Sequence, residues 1–217
     1  MLVKGGNVGM LAPAFMGRRA GEETGMDEAT KLLEAVNRLG MAGCNVCPYL
    51  RSIDEIGGSW QAAMSLIAAH KLFYTKVYRH RTVYLSAEVY ALLRCIRQGR
   101  EPLYPYPARH LLDLLEQREP CTMQELKAAS GLAAKTFQKA WQTLLETMAV
   151  TAWAPYQELN PQWSSMLYCT AARWEEAAAL PEWDGPPEEA KTRLRARLHG
   201  TISEKDVEKL IRNAERD

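Results

Sequence analysis

The segment Leu111–Cys169 constrains this chain most, because its turn signals and apolar periods follow an order that few folds accommodate. The run Leu111-Leu112-x-Leu114-Leu115 has helical spacing and breaks at Glu119-Pro120. Thr122-Met-Gln-Glu125 has the spacing of a capping box, in which a Thr hydroxyl bonds one orphan amide and a Glu three residues on bonds another. A short helix over Leu126–Ala129 stops at Ser130-Gly131, and a longer one is expected from Ala134 to Met148. Two apolar extended runs, Ala149–Pro155 and Ser164–Cys169, close the unit. Helix, short helix, Gly turn, longer helix and hairpin is the order of a winged helix, whose second paired helix is the usual reader of base edges.

The faces of that second helix follow from its period. Phe137, Ala140, Trp141, Leu144, Leu145 and Met148 recur at three and four residues and form an apolar stripe. Lys135, Gln138, Lys139 and Gln142 fall on the other side. Two Lys can pair with phosphates and two Gln can present amides to bases, which makes these four the candidate DNA contacts. The competing reading is a solvated helix face, and Glu146 on the same side favours it. Trp141 is expected to be buried between this helix and the wing.

The chain has 217 residues and 47% apolar content, enough for one large domain or two small ones. Its net charge of +1 supplies no global attraction to nucleic acid or membrane. The charge is unevenly spread. Between Lys71 and Arg100 stand Lys71, Lys76, Arg79, Arg81, Arg94, Arg97 and Arg100, with His80 among them and only Glu88 opposed. The part from Glu175 onward is rich in acids. No run approaches the roughly 20 apolar residues of a membrane span, and Met10–Met16, broken by Pro13, is too short for a signal peptide. An odd count of five Cys suits reduced thiols in the cytoplasm.

Met1–Gly25 reads as a flexible leader or an upstream start, with Met26 the alternative initiator. An amphipathic helix is expected over Asp27–Leu39, a small-residue bend over Gly40–Pro48, and a helix from Trp60, capped by Ser59, to about Lys71. Thr82–Leu85 is a short extended run, and Ser86 caps a helix over Ala87–Arg97. Gly99–Pro107, with three Pro, is the clearest linker. Helices follow over Thr170–Ala179, Glu188–Leu198 and Ser203–Arg216. The expected units are 1–25, 26–105, 106–170 and 171–217.

In Lys71-Leu-Phe-Tyr-Thr-Lys-Val-Tyr-Arg-His-Arg-Thr-Val-Tyr-Leu-Ser86, basic and aromatic residues interleave. Lys76, Arg79 and Arg81 suit phosphates, and Phe or Tyr faces suit bases. Alternatively, Phe73, Tyr74, Tyr78 and Tyr84 are core and the charges a solvated rim.

At these residues the chain resembles the AlkZ-related winged-helix proteins, distant relatives of bacterial DNA glycosylases that unhook interstrand crosslinks. The matching segments are Glu34-Ala-Val-Asn-Arg-Leu-Gly-Met41, Trp60, Phe73-Tyr74-x-Lys76 and Thr82-Val-Tyr-Leu-Ser86. They continue with Leu112-x-x-Leu115, Glu125-Leu-x-x-Ala129-x-Gly131-Leu and Phe137-x-x-Ala140-x-x-x-Leu144, so that Asp27 to Trp174 is covered. The resemblance implies tandem winged-helix units around a basic groove, with double-stranded DNA as the partner. The glycosylases carry a Gln-x-Gln pair that positions the hydrolytic water. This chain contains no Gln-x-Gln, and Gln138 and Gln142 are four apart, so no catalytic residue carries over.

Other chemistry has weaker signals. Cys44-Asn-Val-Cys47 has the spacing of half a zinc site or a redox pair, but a second half-site is missing and Pro48 follows directly. Structural thiols are the expectation there, and Cys95 is expected in a core. Cys121 and Cys169 flank the winged unit. Lys4-Gly5-Gly6-Asn7-Val8-Gly9 lacks the elements of a phosphate loop. No cofactor, metal or membrane is expected. The sequence therefore predicts a mainly α chain with small β-hairpins, an α+β fold of winged helix-turn-helix units. Its expected function is non-enzymatic DNA binding in repair or regulation. A divergent glycosylase and a protein-interaction or ligand-sensing module are the alternatives.

Overall fold

The computed structural model describes residues 20–97, 102–160, 163–181 and 183–216. The fold is mixed α+β. Helix α1 (Ala20–Leu39) leads into strand β1 (Met41–Gly43), a 3-10 turn at Asp54–Ile56, helix α2 (Trp60–Ala68) and a hairpin of β2 (Leu72–Tyr78) and β3 (Arg81–Ser86). Helix α3 (Ala87–Arg97) follows. Then α4 (Tyr106–Arg118), β4 (Cys121–Thr122), α5 (Met123–Ser130), α6 (Ala134–Glu146), β5 (Val150–Asn160) and β6 (Trp163–Thr170) repeat the order. Helices α7 (Ala171–Ala177), α8 (Pro187–Leu198) and α9 (Glu204–Arg216) end the described chain. The two antiparallel sheets have the same arrangement, β1-β3-β2 and β4-β6-β5, with the last strand in the middle.

Local chemistry accounts for the element ends. Thr122 and Glu125 form the expected capping box, and Gly131 ends α5 in the left-handed region at φ 62°. The Ser59 hydroxyl accepts from the Ala62 amide at the start of α2. The Ser86 hydroxyl accepts from Val89, and the Ser203 hydroxyl accepts from Asp206. Each satisfies an orphan amide of a helix start.

Several boundaries differ from expectation. Helix α1 begins at Ala20 rather than Asp27, so Gly21 and Gly25 lie inside a helix; residues 1–19, the rest of the expected leader, lie outside the described residues. The Gly40–Pro48 bend contains β1, paired along β3 from Met41↔Leu85 to Gly43↔Val83. Helix α2 ends at Ala68 rather than near Lys71, because the hairpin of β2 and β3 begins at Leu72. Residues 99–101 of the expected linker lie outside the described residues, and α4 starts within its far end.

The first sheet lies between two cores. Leu72 and Tyr84 join Leu32, Val36 and Ile67 on one side. Phe73, Val83 and Leu85 join Tyr90, Leu93, Trp174 and Leu194 on the other. Alternation along a strand sends successive side chains to opposite faces, so the aromatics of this stretch are claimed by packing. Phe73 and Tyr84 are fully buried, which removes them as base-stacking surfaces. The Phe73 ring sits 4.2 Å from that of Tyr90 and 4.9 Å from that of Trp174.

The sheets meet edge to edge without forming a ladder. The Tyr74 amide donates to Thr151 Oγ1 at 2.9 Å, and the same hydroxyl donates to the Tyr74 carbonyl at 3.0 Å. The Thr75 hydroxyl donates to the Leu145 carbonyl of α6 at 2.6 Å. Both threonines are fully buried. On α6 the apolar stripe is in the expected phase. Trp141 is 4% exposed, and its ring meets that of Tyr168 on β6 edge-on at 5.0 Å.

Thr151→Val keeps the shape but leaves the Tyr74 amide and carbonyl unpaired, and is expected to lower the unfolding free energy by about 1–3 kcal/mol in denaturant titration. Trp141→Ala, which empties the space between α6 and the hairpin, should cost about 3–5 kcal/mol in the same assay.

Candidate nucleic-acid interface

Helices α5 and α6 are joined by a short turn at Gly131–Ala133. The α6 side chains Phe137, Ala140, Trp141, Leu144 and Leu145 are buried. Lys135, Gln138, Lys139 and Gln142 are all exposed on the opposite face. No side chain caps the start of α6. The structure brings these four expected contacts onto one surface. At its C-terminal end Glu146 closes the row, where Oε1 accepts from Gln142 Nε2 at 2.5 Å and from His80 Nδ1 at 2.6 Å. A carboxylate only accepts, so the proton lies on Nδ1 of His80. Gln142 is thus engaged within its own helix, while Gln138 extends from the same face.

The other expected contacts, Lys76, Arg79 and Arg81, lie on the β2–β3 hairpin. Its turn places Arg79 at φ 51° and His80 at φ 57°. A two-residue turn with both central residues left-handed usually takes Asn-Gly, and each other residue there costs about 1–3 kcal/mol unless its surroundings hold it. Here they do. Arg79 Nη2 donates to Asp206 Oδ1 at 3.0 Å and Oδ2 at 2.9 Å, and its guanidinium lies 4.0 Å from the centre of the Tyr49 ring. The Tyr78 hydroxyl donates to Asp206 Oδ2 at 3.0 Å. Burial and that bond push Tyr78 up to about 12. At Asp206 burial pushes the carboxyl up, but bonds from Arg79, Ser203 and Tyr78 outweigh it and hold the pKa below its ordinary value.

Arg79 is therefore engaged by α9. Arg94 bonds Glu175 at 2.7 Å, and buried Arg97 donates to the Thr147 carbonyl at 2.6 Å. Glu88, in the first turn of α3, is bonded by Arg193 and Arg197 of α8. Lys71 and Arg81 remain exposed and Lys76 half-buried. Lys76, Arg79 and His80 share a cavity of about 270 Å³ with Glu146 of α6 and Asp206, Lys209 and Asn213 of α9. Arg81 faces a second cavity of about 220 Å³ beside Gly43 and Asn45. The sequence reading missed the α9 residues. Their only signal is that of a charged amphipathic helix face, which does not say what it meets.

Burial pushes the Cys44, Cys121 and Cys169 thiols up, away from thiolate chemistry. The Cys47 thiol donates to the Leu50 carbonyl. Among the described residues no three His, Cys, Asp or Glu side chains are grouped to hold a metal, and no helix is long and apolar enough to cross a membrane.

The AlkZ-related family matches over residues 52–214, and the chain belongs to that family. The matched span leaves out the Glu34–Met41 segment but includes α8 and most of α9. No curated protein and no solved structure matches the chain significantly.

Because the folded-state pKa of Asp206 lies below its ordinary 3.8, its ionised form stabilises the fold above that value and the benefit fades as pH falls through the folded value. Asp206→Asn should cost about 2 kcal/mol at neutral pH, the range for bonds to a charged group. Its deficit relative to wild type should shrink below pH 3.8, as read by chemical denaturation at a series of pH values.

Proposed function

We propose that this chain is a non-enzymatic DNA-binding protein of winged-helix type, acting in repair or regulation in the cytoplasm. On this reading its two equivalent sets of elements are tandem winged helices, at 26–105 and 106–170, with 171–217 packed against the first. The observation that carries the proposal is the exposed row Lys135, Gln138, Lys139 and Gln142 on the second helix of a helix-turn-helix. It occurs in a member of the AlkZ-related family. Lys135 and Lys139 pair with phosphates, Gln138 presents its amide to a base edge, and Gln142 does so once released from Glu146. Lys76 and Arg81 extend the contact from the first hairpin, and Arg79 supports it by fixing the turn.

A non-enzymatic role is supported by the lack of Gln-x-Gln and by the engagement of Glu88. That acid, which interrupts the basic stretch in sequence, is spent on two arginines of α8. A second reading, a protein-interaction module, draws on the same electrostatics. Glu146 interrupts the cationic row, and Arg79, Arg94 and Arg97 are held by internal acceptors.

Duplex titration separates the two. Lys135→Ala/Lys139→Ala should weaken duplex binding and flatten the salt dependence by about one ion per lost phosphate contact, without changing the unfolding midpoint. An unaltered binding curve at low salt would remove α6 from the interface. Incubation with an alkylated or crosslinked duplex, followed by alkaline cleavage, should yield no strand breaks above a protein-free control. Breaks would favour a divergent glycosylase.

A further inference from the structure

The cavity between the β2–β3 turn, the end of α6 and α9 is more than an extension of the α6 face. Its two carboxylates are already committed. Asp206 accepts from Arg79, Tyr78 and Ser203, and Glu146 accepts from His80 and Gln142. Lys76 and Lys209, which also line it, have no carboxylate partner among the described residues. The Asn213 amide lies on the same wall as Lys209, one turn further along α9. Two ammonium groups and neutral N–H donors around a concavity are a donor set for phosphate oxygens, with Lys acting as a point charge.

The shape adds to the chemistry. An internal phosphodiester lies along a convex backbone with a single negative charge. A terminal phosphate projects from its parent and carries about −1.5 to −2 at neutral pH, so it is drawn more strongly than a phosphodiester to a lining in which Lys76, Arg79 and Lys209 outnumber Asp206 and Glu146. The walls are also fixed in advance. The turn is held in its left-handed conformation by Asp206 on one side and Glu146 on the other, so little ordering is left for the ligand to impose.

We propose that this cavity binds a terminal phosphate group, supplied by the end of a nucleic-acid strand or by free phosphate or a mononucleotide. The site does not depend on duplex reading by α6, since neither Lys135 nor Lys139 lines it.

The test uses the full chain. Inorganic phosphate and adenosine 5′-monophosphate are titrated at constant ionic strength while the His80 imidazole is followed by NMR. In parallel, the affinity for one blunt duplex is measured with 5′-phosphate and with 5′-hydroxyl ends. Saturable His80 shifts are expected, lost in Lys76→Ala/Lys209→Ala and retained in Lys135→Ala/Lys139→Ala. A strand end is the source if the phosphorylated duplex binds about tenfold tighter and the Lys76/Lys209 variant loses that preference. A free phosphate or nucleotide is the source if small ligands saturate and the two duplexes bind alike. Lys209→Gln, which keeps the stem of an exposed helix residue, serves if the double variant does not fold, and should weaken phosphate binding. No saturable response together with equal duplex affinities overturns the proposal, as does a phosphate response unchanged in the lysine variants. Failure of all duplex binding with phosphate saturation intact would remove the α6 reading and leave this one standing.

Discussion

Thr151 gives the edge of β2 what a neighbouring strand would otherwise give. Its hydroxyl accepts from the Tyr74 amide and donates to the Tyr74 carbonyl, a double role that a hydroxyl can perform and a methyl cannot. Both sheets end here, β2 on one and β5 on the other, and Thr151 is fully buried against half-buried Tyr74, so unpaired backbone groups would be costly. One residue further, Thr75 ties the same strand to the last turn of α6. The two threonines therefore set where α6 lies relative to the first hairpin. That placement puts Glu146 within reach of His80 and allows residues nearly 70 positions apart to share a cavity wall.

The hairpin turn shows how the C-terminal helices enter the site. Arg79 and His80 occupy a backbone region in which side chains are disfavoured, and neither offers the freedom of glycine. Their side chains supply what the backbone lacks. One is gripped by Asp206 at the start of α9 and covered by Tyr49, and the other is bonded to Glu146 at the end of α6. Asp206 also accepts from Ser203 ahead of α9. A single carboxylate thus links helix start, strand end and turn. The family match running to residue 214 fits a fold in which α9 is structurally tied to the hairpin.

The parts legible in the sequence were those written in local chemistry. The Thr122–Glu125 capping box, the Gly131 stop, the α6 stripe through Trp141 and the caps at Ser59 and Ser86 each rest on residues within a few positions of one another. What escaped depends on distant partners. Met41–Gly43 is three residues long and has no strand pattern of its own; it is a strand because β3 is beside it. The Lys71–Ser86 run offered two meanings for its aromatics. The choice came from the second core, built by α3 and α8, which claims Phe73 and Leu85 while α1 and α2 claim Leu72 and Tyr84. Gly21 and Gly25 misled the placement of the α1 start, since isolated glycines lower helix propensity by only about 1 kcal/mol each and do not forbid the helix.

Charge was the least transparent layer. The basic excess between Lys71 and Arg100 suggests an electrostatic surface, yet Arg79, Arg94 and Arg97 are consumed by Asp206, Glu175 and the Thr147 carbonyl. In that stretch Lys71 and Arg81 stay exposed and Lys76 half-buried, and Lys135 and Lys139 are exposed on α6. Between these groups stands Glu146. On the proposed reading this acid has a directional effect. It weakens the pull on a duplex backbone at the C-terminal end of α6, where the helix dipole is also negative, while Lys135 and the uncapped N-terminus attract phosphates at the other; inside the cavity Lys76, Arg79 and Lys209 outnumber it and Asp206. A duplex would then meet the first half of the helix, at Lys135, Gln138 and Lys139, which is the half that recognition helices use for base contacts. The far end of the row would be left to the phosphate cavity. One carboxylate, hydrogen-bonded on its inner side by His80 and Gln142, would thus mark the boundary between two anion-binding surfaces of different geometry.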